Sequence, residues 1–132
     1  MSDIQTSTVS EDGFACTSQV GDFDLQIDAT DETGPNPNAA LVATYASCFL
    51  PAFRVGGQKT GFDDLGKVQI DADADLDDGD DLTSISFDVY VESDLSDDEF
   101  AEITALAEDI CHVHDALREE LQADVTVVGD AF

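Results

Sequence analysis

Apolar and polar residues alternate strictly from Val68 to Leu76, with Val68, Ile70, Ala72, Ala74 and Leu76 on one side and Gln69, Asp71, Asp73 and Asp75 on the other. A period of two sends successive side chains to opposite faces, so this stretch predicts a strand with one dry and one wet face. Ile85, Phe87, Val89 and Val91 repeat the pattern after a turn at Asp77 to Asp81, which completes a hairpin. Near the N-terminus, Ile4 to Val9, Phe14 to Val20 and Phe23 to Ala29 are separated by Ser10-Glu11-Asp12-Gly13 and Gly21-Asp22. They predict an antiparallel meander, with Phe23, Leu25, Ile27 and Ala29 facing in and Asp24, Gln26 and Asp28 facing water.

From Phe100 the period becomes helical: Phe100, Ile103, Leu106, Ala107, Ile110, His114, Leu117 and Leu121 fall on one face, in one helix that ends near Glu119 to Gln122. Ser96 and Glu99 have the spacing of a capping box, and Leu95 and Phe100 that of a hydrophobic staple, so the helix starts at Ser96. Asp124 to Val128 reads as a last strand. The other long segment, Asn36 to Arg54, contains no carboxylate. Asn36 suits an N-cap and Pro37 the first helical position, and the small and apolar residues that follow surround the axis, as in a helix packed on all sides. Pro51 should kink it, and Gly56, Gly57 and Gly61 should loosen the chain beyond. The order βββ-α-ββ-α-β predicts a single α+β domain over residues 1–132.

Composition changes the picture in one respect. The 132 residues hold 31 Asp and Glu against four Lys and Arg, a net charge of −27. Nucleic acid and anionic membrane both repel such a surface. At about 1 M salt, where the Debye length is about 3 Å, the same charges become a tolerable hydrated shell, so they predict a salt-rich interior. No run of 18 apolar residues occurs, and Met-Ser-Asp-Ile-Gln lacks the features of a signal peptide, so a cytoplasmic location is expected. In that compartment Cys16, Cys48 and Cys111 are not a disulfide framework, and each is core, metal ligand or reactive thiol. The Asp-rich run does not fit a calcium loop: counted from Asp73, the places of the required Gly and Glu hold Asp78 and Ser84.

On the first helix Cys48 shares a stripe with Leu41, Thr44, Tyr45 and Ala52. On the second, Cys111 flanks the apolar face near Ala107 and Arg118, His112 points outward and His114 inward. Taken singly, these residues read as core cysteines and a hydrogen-bonded histidine, Cys16 as a small strand residue, and a Cys111/His114 metal site is permitted by spacing but lacks a second ligand cluster. Two thiols on two helices also suit a chemistry in which one is oxidised by peroxide and the other condenses with it.

The motifs around them carry more. Gly34-Pro-Asn-Pro-Asn, Tyr45-Ala-Ser-Cys48-Phe, Asp94-Leu-Ser96 and Ala107-Glu-Asp-Ile-Cys111-His-Val-His-Asp-Ala-Leu117, in this order, resemble the OsmC/Ohr family of organic hydroperoxide reductases. The resemblance runs from about Gly21 to Val128. It implies an intertwined α+β homodimer with the two long helices between the sheets. It also implies Cys48 as peroxidatic and Cys111 as resolving cysteine in an apolar pocket, organic hydroperoxides as substrates, recycling by a dithiol such as a lipoylated protein, and no metal or organic cofactor. The alternative is an OsmC-like dimer that binds a small apolar ligand or senses redox state without turnover. It draws on two departures: the family's activating Arg and Glu are matched here by Glu11 and Asn38. Without them Cys48 is expected near or above the ordinary thiol value of about 8.5; Arg54 lies opposite it on an ideal helix unless the Pro51 kink redirects it, and Arg118 stands on the stripe of Cys111 and would support that thiol instead. A third departure, His112 in place of the proline of the family's Cys-Pro-Val, predicts an unbroken second helix at Cys111.

Overall fold

The computed structural model describes residues 2–132. The chain forms two compact units, Met1–Leu41 and Val42–Phe132. The first is an antiparallel meander of β1 (Thr6–Val9), β2 (Ala15–Val20) and β3 (Phe23–Asp28), paired in that order. Its faces differ from the predicted ones. Phe23 is 75% and Leu25 52% exposed, whereas Asp28 is buried. The Asp28 carboxylate turns in because its partners follow at once: it accepts hydrogen bonds from the amide and hydroxyl of Thr30 (2.9 and 2.7 Å) and from those of Thr33 (3.1 and 2.9 Å). These bonds hold its carboxyl well below the usual carboxylate range. They also shape the loop into helix α1 (Pro37–Lys59), where Asn36 caps Ala39 through its side chain at 2.9 Å.

The second unit carries most of α1 and a sheet ordered β4 (Val68–Leu76), β5 (Leu82–Val91) and β6 (Asp124–Val128), β5 being antiparallel to β4 and parallel to β6. The predicted alternation holds on β5, where Leu82, Ile85, Phe87, Val89 and Val91 are buried. Phe87 meets Tyr45 and Phe49 of α1, with ring centroids 4.7 and 5.4 Å apart. By length and composition α1 could cross a membrane, but Tyr45, Phe49, Ala52 and Phe53 belong to the hydrophobic core.

Helix α1 departs from expectation twice. Its buried residues form one stripe, and Thr44, Ser47 and Pro51 on the opposite side are exposed, so within one chain the helix is not packed all round. It also continues through Gly56 and Gly57 to Lys59. These glycines mark close approach: a Cβ at Gly56 would lie 2.8 Å from the Ile103 carbonyl oxygen, and one at Gly57 3.0 Å from that of Phe62. The expected loosening therefore does not occur there.

Helix α2 (Asp97–Ile110) begins at the predicted capping box, with the Glu99 amide donating to the Ser96 hydroxyl (3.1 Å) and the Ser96 amide to the Glu99 carboxylate (2.9 Å). It does not run on to Leu121. Cys111 adopts an extended conformation (φ −68°, ψ 111°), capping α2 at its end and starting the five-residue helix α3 (His112–Ala116). The side chain supplies the cause: Cys111 Sγ accepts the His114 amide at 3.4 Å, as an N-cap does. A 3-10 turn, Glu119–Leu121, leads to β6.

Candidate active site

The site is built where α1 faces the break between α2 and α3. Taking 100° per residue, Cys48 lies at the boundary between the buried stripe of α1, which includes Tyr45, Phe49 and Ala52, and the exposed side of Thr44, Ser47 and Pro51. Its thiol is accordingly half-buried, whereas Cys111 is buried. Both are free thiols, and they lie close enough for each to influence the ionisation of the other. The two sequence-derived site residues are thus brought together.

The helix break decides the electrostatics. The amides of His112 and Val113, at the start of α3, have no carbonyl one turn back to bond. Both face the Cys48 sulfur and favour its thiolate. Burial pushes the Cys48 thiol up, but these two amides and the Cys111 thiol more than offset it, and its pKa falls below the ordinary thiol value. The expected value near or above the ordinary one is therefore corrected: backbone donors do here what no side-chain cation does. Cys111 moves the other way. Burial pushes it up, to about 11; the His114 and Val113 amides pull against burial, and the negative charge of Cys48 adds to the rise. The two thiols move in opposite directions, Cys48 toward its thiolate and Cys111 away from it.

Neither arginine takes part in this arrangement. Arg54 donates to the Gly66 carbonyl at 2.9 Å, and Arg118 is exposed, 4.0 Å from the Glu120 carboxylate. Glu11 is exposed in the β1–β2 turn, and Asn38 stands in the first turn of α1. Cys16 lies in β2, its thiol 3.8 Å from the Phe14 carbonyl.

His114 is buried, as expected, and its imidazole Nδ1 shares a hydrogen bond with the Tyr45 hydroxyl, which also accepts the Ala123 amide at 2.9 Å. Glu108 approaches Nε2 at 3.8 Å. Periodicity and spacing could not show that Tyr45 meets His114, 69 positions away, or that backbone amides would face Cys48. One signal was available for the second point: a non-proline residue at 112 keeps an amide that proline lacks.

Residues 29–126 match the family of OsmC-like proteins. The chain belongs to the OsmC family. An uncharacterized protein of Haloferax volcanii is 96% identical over 132 residues, 100% of both chains, which fits the acidic, salt-adapted composition. The crystal structure of an OsmC-like protein from Mycoplasma pneumoniae is similar with a TM-score of 0.84 at 20% identity, covering 97% of each chain. That of the organic hydroperoxide resistance protein OhrB of Bacillus subtilis has a TM-score of 0.69 at 19% identity, covering 94% of this chain and 98% of the other. The α+β architecture with its strands, helices and two sheets is the OsmC fold. Within it, this OsmC chain pairs Cys48 with Cys111 across a broken second helix.

Proposed function

We propose that the protein is a thiol-dependent peroxidase that reduces organic hydroperoxides as part of an oxidative stress response. The observation that carries this reading is the neighbouring pair of free thiols in which Cys48 is half-exposed and drawn toward its thiolate by two amides, while burial holds Cys111 as a thiol. The Cys48 thiolate attacks one oxygen of the O–O bond; that bond breaks, an S–O bond forms, and the alkoxide leaves as an alcohol after taking a proton. Cys48 is then a sulfenic acid, two electrons more oxidised. Cys111 attacks its sulfur, the S–S bond forms, and the hydroxyl leaves as water with the Cys111 proton. A dithiol, for which a lipoylated protein is suited, returns two electrons by thiol–disulfide exchange.

We place the enzyme in the cytoplasm as a homodimer. Phe14 and Phe23 are 72% and 75% exposed, and the Thr44–Ser47–Pro51 face of α1 is bare in a segment without carboxylates. On so acidic a chain, large exposed apolar groups and an uncharged helix face suit a partner subunit.

The test is consumption of cumene hydroperoxide in molar salt with a dithiol reductant. Wild type consumes it faster than hydrogen peroxide, and Cys48→Ser abolishes turnover; equal rates for the two proteins defeat the reading. After one equivalent of peroxide, peptide mass spectrometry finds a Cys48–Cys111 disulfide. Thiols that stay free favour instead a small-molecule-binding or redox-sensing dimer, the reading that Glu11 and Asn38 in place of the family's activators supports.

A further inference from the structure

The five-residue helix that presents its amides to Cys48 does not hold itself. Asp115 bonds back to Cys111 (3.2 Å) and Leu117 to Val113 (3.1 Å), but five residues are far short of the length an isolated helix needs. Its place must come from tertiary anchors, and these converge on His114. The His114 carbonyl accepts from Gln122 Nε2 at 3.1 Å, its amide donates to Cys111 Sγ, and its ring meets Tyr45. Tyr45 is fully buried on α1, three residues before Cys48, with its ring against Phe87.

The direction of the Tyr45–His114 bond follows from the phenol's single proton. Its oxygen takes the Ala123 amide, and the hydroxyl hydrogen of a fully buried tyrosine needs an acceptor of its own; Nδ1 is the one set beside it, so we assign the phenol as donor. Nδ1 is then the acceptor and the ring proton sits on Nε2, facing Glu108. The titratable groups that face this imidazole are Tyr45 and Glu108, with the thiol of Cys111 on its own backbone amide.

We propose that Tyr45 and His114 are positioning residues: their buried hydrogen bond ties the start of α3 to α1, so that the amides of His112 and Val113 stay aimed at the Cys48 sulfur. The proposal rests on Cys48 as the reacting thiol and extends it to a pair whose side chains are hydrogen-bonded to each other. It explains why a tyrosine and a histidine occupy buried sites that an apolar pair of the same size could fill.

The experiment follows alkylation of Cys48 by iodoacetamide as a function of pH, read at that peptide by mass spectrometry in molar salt. Tyr45→Phe keeps the ring against Phe87 and removes the hydroxyl; His114→Leu removes the acceptor; His114→Asn keeps an acceptor at the δ position. For Tyr45→Phe and His114→Leu the alkylation midpoint moves up by about one pH unit, and the rate below both midpoints falls about tenfold. His114→Asn restores the rate to within about twofold of wild type, since its δ oxygen takes the phenol proton. A merely structural pair would lower the melting temperature and leave the midpoint where it was, and that outcome overturns the proposal. So does His114→Asn behaving like His114→Leu. No peroxide enters this assay, so a protein that alkylates as described yet does not reduce hydroperoxides defeats only the peroxidase reading.

Discussion

His112→Pro separates the chemistry of Cys48 from the stability of the fold. His112 is the exposed first residue of α3, and its amide is one of the groups that draw Cys48 toward its thiolate. Proline is suited to the first helical position because its ring sets φ near −65°, and the extended Cys111 before it (ψ 111°) is close to the conformation that a pre-proline residue adopts. The substitution therefore deletes one donor without disturbing the backbone. A hydrogen bond to a charged group contributes about 1.5–3 kcal/mol, and a large, soft sulfur belongs at the lower end. Loss of about 1.4 kcal/mol raises the Cys48 pKa by about one unit and lowers its thiolate fraction about tenfold below the midpoint. Stability moves oppositely, because proline restricts the unfolded chain and adds roughly 0.4–1 kcal/mol where the native conformation already suits it. The assay is alkylation of Cys48 against pH, alongside urea unfolding in molar salt. The expected result is a higher alkylation midpoint together with a higher unfolding midpoint. An alkylation profile identical to wild type would show that the His112 amide does not stabilise the thiolate, and the account of the helix break as an electrostatic device would fall.

Three other outcomes follow from the described contacts. Asp28→Asn lowers the urea midpoint at neutral pH and flattens the acid limb: the folded carboxyl lies below its ordinary value of 3.8, so its contribution is present above that pH and lost as pH falls through the lower folded value. Cys111, raised from 9.0 to about 11, favours the folded state below the ordinary thiol value and loses that contribution as pH climbs from about 9 to about 11. Wild type should therefore lose stability across that window more steeply than Cys111→Ala in parallel denaturant titrations. Ser96→Ala removes the hydroxyl that accepts the Glu99 amide and costs about 1 kcal/mol in the same unfolding assay, with the Cys48 alkylation profile unchanged.

What could be read along the chain was whatever depends on near neighbours. Alternation located β4 and β5, the Ser96–Glu99 spacing located the start of α2, and Asn36 with Pro37 located that of α1. Cys48 and Cys111 were singled out because the motifs around them are local too. The break at Cys111 was hidden since His114, Leu117 and Leu121 keep the helical period while the thiol caps its own backbone three residues on. Asp28 was assigned to the wet face because alternation ignores the hydroxyls and amides of Thr30 and Thr33 that follow it. The glycines of α1 read as looseness where they serve closeness, and the Tyr45–His114 bond joins residues that only the tertiary fold makes neighbours.

The contact of Gly56 with the Ile103 carbonyl reaches further than its own neighbourhood. Gly56 follows Cys48 by eight residues and Ile103 precedes Cys111 by eight, so the two helices run in opposite directions with the glycine as fulcrum and the sulfurs at the far ends of equal arms. Each arm is about 12 Å at 1.5 Å per residue. A single methyl group wedged at the fulcrum pushes the two helices apart where they touch, and the far ends that carry the sulfurs move with them.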